Sequence, residues 1–145
     1  MSNIFDMEAS MSFRERAAWV MGILMALAGI YYLHIVRELG PAALPTEVLT
    51  PYTGLVVVAW VVAQIALNAL SPREANAPAD ERERPLLDRA GNWSGWVLGL
   101  GVIGSLWAFH VDGDGVQMVH LLVGSLILSQ VAEYAFQIFL LRRNG

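Results

Sequence analysis

TGLVVVAWVVAQIALNAL, from Thr53 to Leu70, runs for 18 residues without one charged side chain. A stretch of about this length matches the thickness of a bilayer's hydrocarbon core. Buried helices of soluble proteins are rarely this apolar all round. Working outward, three more such runs appear at roughly 17 to 36, 94 to 110 and 116 to 141. Four in succession leave almost no sequence for a polar shell, so the chain needs a non-aqueous solvent. The expected fold is all-α: a four-helix transmembrane bundle, up-down-up-down, in one domain over 1–145. Its helices are placed at about 17–38, 53–71, 93–110 and 116–141, with a charged cytoplasmic loop over 72–92.

Composition agrees. Of 145 residues 56% are hydrophobic and 15% charged, against roughly 25% charged in ordinary globular chains. Cysteine is absent, which removes disulfides, thiolate metal sites and covalent c-type haem attachment. A net charge of −4 without a basic cluster argues against nucleic acid as a partner. The first apolar run is too long, and preceded by too polar a segment, for a cleaved signal peptide.

Every basic residue is an arginine, and their positions set the orientation. Arg14 and Arg16 precede the first run, Arg73, Arg82, Arg84 and Arg89 separate the second from the third, and Arg142 and Arg143 follow the fourth. Only Arg37 falls on the other side. This bias predicts a multi-pass protein of the bacterial inner membrane with both termini cytoplasmic. Trp19, Trp93, Trp96, Trp107, Tyr31, Tyr32 and Tyr52 sit toward helix ends, where interfacial aromatic belts lie.

Ser12 and Glu15 have the spacing of a capping box at the first helix, and Gly40-Pro41 should stop it. The three prolines between Gly40 and Pro51 predict an ordered external connection. Within the cytoplasmic segment, Asp80 and Glu83 suggest a second capped start that Pro85 should bend or break one turn later. Asp112-Gly113-Asp114-Gly115 reads as a tight turn. Its aspartates resemble part of a calcium loop but lack the remaining ligands and the closing glutamate.

The two halves are alike. Trp19-Val20-Met21-Gly22 before His34 parallels Trp96-Val97-Leu98-Gly99 before His110, and Gln64-Ile65-Ala66 parallels Gln130-Val131-Ala132. The order suggests two duplicated helical hairpins related by rotation about the membrane normal. Small residues recur at i, i+4 in Ala18, Gly22 and Ala26, in Gly91, Gly95 and Gly99, and in Ser125 and Ser129. Such rows let helix backbones approach, within the chain or at a homodimer seam.

Two sets of side chains are candidates for chemistry. His34, His110 and His120 fall at similar depth near the external face, and imidazoles on neighbouring helices can ligate haem iron or another metal. Separate interfacial histidines are the simpler expectation, with no cofactor. On the fourth helix Gln130, Glu133, Tyr134 and Gln137 lie at about 0°, 300°, 40° and 340°, sharing one face. Gln64 and Asn68 extend this polar seam onto the second helix. An ionisable group at such depth is a functional candidate, with structural hydrogen bonding as the alternative. No nucleophile with a base, nucleotide loop or zinc-protease helix is present, so no catalytic residue is assigned.

At Asp80-Glu81-Arg82-Glu83-Arg84, followed by Leu87, Arg89 and Ala90 and then an apolar helix, the chain resembles a family of small four-span inner-membrane proteins of bacteria and archaea with no established activity. The Ser12-Phe13-Arg14-Glu15-Arg16 opening ahead of Trp19 is similar as well. The resemblance implies four spans and no catalytic residue; Pro85 departs from it, since that stretch should be continuous helix. The function expected is a non-enzymatic, protein-binding, accessory or regulatory module. Its partners would be the lipid bilayer and another membrane or cytoplasmic protein, or a second copy. The alternatives are a cofactor-bearing redox subunit using His34, His110 and His120, and a small transporter or proton-conducting element using Glu133.

Overall fold

The computed structural model describes residues 12–40, 45–72 and 81–144, and among them regular structure is helical throughout. Four helices follow one another: α1 (Phe13–Leu39), α2 (Pro45–Leu70), α3 (Glu83–Asp112) and α4 (Gly115–Asn144). Each is long and apolar enough to cross a membrane, and the chain is a multi-pass, all-α four-helix bundle. Little of any span is covered by the protein itself. Large apolar side chains such as Ile30, Val58, Ile65 and Leu100 stand on the outer surface, as they must where hydrocarbon is the solvent.

All four helices begin earlier than the apolar runs suggest. Ser12 caps α1, its hydroxyl accepting from the Glu15 amide at 3.2 Å, so the first turn starts at Phe13. The capping box is only half made, because the Glu15 carboxylate is engaged by Arg142 instead. Gly40 ends α1 at φ 85°, a left-handed conformation that glycine adopts without cost. The connection expected up to Pro51 is partly helix: α2 starts at Pro45 and contains Pro51. Proline is welcome in the first turn, where its missing N–H has no helical partner. Around Pro51 tertiary packing outweighs the lost bond, since neighbouring Val48 is fully buried and Tyr52 nearly so. The segment 72–92 is likewise shorter as a loop, for α3 begins at Glu83. Pro85 neither bends nor breaks it: the ring sits in the first turn, where there is no amide bond to lose. Asp80, expected as a cap, lies outside the described residues.

The turn between α3 and α4 is as tight as its glycines imply. Gly113 takes φ 69° and its N–H donates to the Phe109 carbonyl at 2.8 Å. Asp114 is the N-cap of α4, with its Oδ1 accepting from the amides of Val116 and Gln117 at 2.9 and 3.1 Å. That is a structural use for an aspartate that composition alone likened to a calcium ligand.

Side-chain contacts fix the directions of the helices. The start of α1 meets the end of α4 through Glu15 and Arg142, and the end of α1 meets the starts of α2 and α4 through Tyr32, Tyr52 and His120. Trp93, early in α3, packs edge-on against Phe136, late in α4, at 5.3 Å. Neighbours are therefore antiparallel. Both described ends of the chain lie at one end of the bundle, called here the proximal end; Tyr32 and the Gly113 turn mark the distal end.

The packing is uneven. α4 lies along α3 and along α1, α1 touches α2 over a smaller face, and α2 makes no packed face with α3. A hairpin duplicated by rotation would make the α1–α4 contact equivalent to an α3–α2 contact. The second is missing, so the packing carries no twofold relation, whatever the likeness of the two sequences. Small residues mediate the real contacts. A Cβ on Gly22 would stand 3.1 Å from that of Tyr134, one on Gly29 would meet Ile127 at 2.9 Å, and one on Gly101 would overlap Ser125. The row Gly91, Gly95, Gly99 takes no part: among the described residues nothing lies within 4 Å of a Cβ at any of the three. Ser94, Ser105, Ser125 and Ser129 each donate to a carbonyl of the preceding turn at 2.7–2.9 Å. A hydroxyl in hydrocarbon is satisfied in this way without leaving its helix.

Candidate functional site

At the proximal end residues from all four helices line an open cavity of about 720 Å³. α1 contributes Arg14 and Met21, α2 contributes Gln64, α3 contributes Leu87, Asp88, Gly91 and Asn92, and α4 contributes Glu133, Tyr134 and Gln137. It lies where α2 and α3 fail to close on one another. Its wall mixes carboxylates and amides with apolar groups.

The local helical geometry explains the placement. Glu133 and Gln137 are one turn apart, and Gln137 Nε2 donates to Glu133 Oε1 at 3.3 Å, the i, i+4 pairing that stacks side chains on one helical face. Tyr134 packs against α1, with its Cβ against the Gly22 backbone. Arg14 Nε pairs with Glu83 Oε2 at 3.0 Å at the cavity's outer edge. Among the described residues neither Glu133 nor Asp88 has a cation within ion-pair distance.

The polar seam read from sequence thus divides. Gln64, Glu133, Tyr134 and Gln137 come together around the cavity. Asn68 does not: it is exposed, and its Nδ2 donates to the Gln64 carbonyl of its own helix at 2.8 Å. Gln130 is half-buried and does not line the cavity. A helical wheel puts it on the right face, but it sits one turn too far from the proximal end. Of the nearby arginines, Arg14 reaches the cavity, whereas Arg89 is stacked over Trp93 at 5.9 Å.

The histidines are handled differently. His120 Nδ1 and the Tyr32 hydroxyl are hydrogen-bonded at 2.8 Å, and Tyr32 also meets Tyr52 edge-on at 5.1 Å. These groups, with Val48, form the distal core. Tyr32 and Tyr52 are accordingly core residues rather than members of the interfacial belt, which Trp19, Tyr31, Trp93, Trp96 and Trp107 do fit by their exposure. His110 lies beside Trp107 at 6.2 Å, and His34 is exposed. Among the described residues no three His, Cys, Asp or Glu side chains gather in a metal-binding group.

Sequence reasoning missed the strongest polar contact at the proximal end. Glu15, 8% exposed, accepts from Arg142 Nε at 2.6 Å across 127 residues, and the same guanidinium lies 5.5 Å from the centre of the Trp19 ring. An acid at N3 of a helix has a local explanation already, which hides its distant partner.

Compared with protein-family models, curated proteins and solved structures, the chain matches none.

Proposed function

We propose that this chain is a non-enzymatic membrane module that works by holding another membrane protein, as an accessory or regulatory subunit, in a bacterial inner membrane with both termini in the cytoplasm. The observation that carries the reading is the uncovered glycine row of α3. Gly95 and Gly99 stand at the spacing used by close-packed membrane helices, yet among the described residues nothing lies within 4 Å of a Cβ at either; Gly91, next in the row, lines the proximal cavity. Facing lipid, a glycine row forfeits side-chain contacts. Facing a helix, it lets backbones approach and restores van der Waals packing. Trp96, 75% exposed, lies on the same helix and offers a large apolar surface to a neighbour. The orientation rests on the arginine asymmetry, and the resemblance to small four-span proteins through Asp80–Arg84 fits the same reading.

The test is a photocrosslinking amino acid at exposed Trp96, beside Gly95, in native membranes. Adducts with a protein, either a partner subunit or a second copy, are expected, and Gly95→Leu should abolish them while leaving thermal stability in detergent unchanged. Gly22→Leu is the contrast: it drives a side chain into Tyr134 and should destabilise the bundle by about 1–3 kcal/mol. Adducts with lipid alone would overturn the proposal.

A further inference from the structure

We infer that the proximal cavity is a binding site for an amphiphilic organic cation, an alkylammonium in chemical class, whose charge lies at Glu133 and Asp88 and whose apolar part lies against Met21 and Leu87. The inference does not depend on the α3 contact proposed above. Its first support is charge. Among the described residues two carboxylates line the cavity without a cation in ion-pair range, while Arg14, which also lines it, is engaged with Glu83. Glu133, half-buried among the helices, is less screened than a surface carboxylate and attracts a cation accordingly, while Asp88 is exposed and adds its charge from the surface of α3. Glu133 receives one long hydrogen bond from Gln137, which leaves acceptor capacity on both oxygens.

The second support is size. About 720 Å³ falls within the range of small-molecule sites and far exceeds a bare ion, which needs several oxygens at about 2.0–2.6 Å. The described acids and histidines form no such cluster. The third is the mixed wall. Gln64, Asn92 and Gln137 present amide oxygens that accept from N–H donors, Tyr134 adds an aromatic group that can face a cation, and methionine and leucine supply apolar contact. An anion would meet two carboxylates, and a neutral alkyl chain would leave the polar wall unpaired.

An alkylammonium reaches this place from two sources, the aminoethyl headgroup of a membrane lipid or a free amine from the cytoplasm. The purified full chain would be titrated with decylammonium, with decanol and decyl sulfate as chain-matched controls, by tryptophan fluorescence and calorimetry in nanodiscs of phosphatidylglycerol. Saturable binding of decylammonium at least about tenfold tighter than of decanol is expected, the scale of one charge-assisted hydrogen bond. Glu133→Gln, which keeps an oxygen for Gln137 to donate to, should erase that preference, and Asp88→Asn should reduce it. Preferential retention of phosphatidylethanolamine by the wild type but not by Glu133→Gln assigns the site to the lipid headgroup; ammonium selectivity without it assigns a free amine. Equal binding of decanol and decylammonium by the wild type overturns the inference even if a variant fails to fold, and so does undiminished selectivity in a folded Glu133→Gln protein.

Discussion

Glu15 shows how one residue serves two levels of structure. Its backbone amide is taken by Ser12 in the first turn of α1, while its side chain ties that turn to the last turn of α4 through Arg142. The carboxylate is nearly enclosed, but Arg142 is about half exposed (54% of its side chain), so solvent screens the pair and limits its worth. Glu15→Gln should cost about 1 kcal/mol in detergent unfolding. A double-mutant cycle with Arg142→Gln should return a coupling of similar size; additive effects would show that the contact holds nothing together. Reading this pair from sequence was not feasible. Each residue satisfies a local rule, helix capping for one and positive-inside placement for the other, and neither rule points across 127 positions.

At the scale of the element, helix ends were the least legible feature and caps the most physical cause. Apolar content marks where a helix can sit in hydrocarbon, not where its hydrogen bonding stops, and so α2 starts about two turns, and α3 about three turns, before its apolar run. Asp114 fixes the start of α4 by taking two amides. Asp114→Ala should lower stability by about 1 kcal/mol, measured as a shift in thermal midpoint, whereas Asp114→Asn or Asp114→Ser should retain most of it because each keeps a capping oxygen. Equal loss in all three variants would indicate that charge, not the cap, is the source. Prolines teach the same lesson in reverse. Pro85 was read as a break and falls in a first turn, and Pro51 was read as a boundary and is carried inside α2 by the burial of Val48 and Tyr52 beside it.

For the whole molecule, the packing is organised around α4, which contacts α1 and α3 along its length, while α2 is held chiefly at the distal core of Tyr32, Val48 and Tyr52. That asymmetry leaves the proximal cavity between α2 and α3 and makes Glu133 accessible. Orientation in the bilayer is a property of the whole chain as well. Since no native cysteine competes, single cysteines at exposed Arg82 and Asp112 read it directly in intact cells. A membrane-impermeant maleimide is expected to modify the Asp112→Cys protein and spare Arg82→Cys until the membrane is breached. The opposite pattern would invert the topology.

The sequence alone determined that the protein is four apolar helices, because the cost of burying unpaired backbone in lipid leaves helices as the only spans for runs of this length. It also put Glu133, Tyr134 and Gln137 on one face of α4, since a helical repeat is fixed by local geometry. What tertiary structure decided is which faces meet. In hydrocarbon the apolar sides of a helix are nearly equivalent, so no hydrophobic pattern marks the inner face, and the choice falls to shape at a few small residues. Gly22, Gly29 and Gly101 are pressed against neighbours while Gly91, Gly95 and Gly99 are not, a distinction that the presence of a glycine in a helix does not contain.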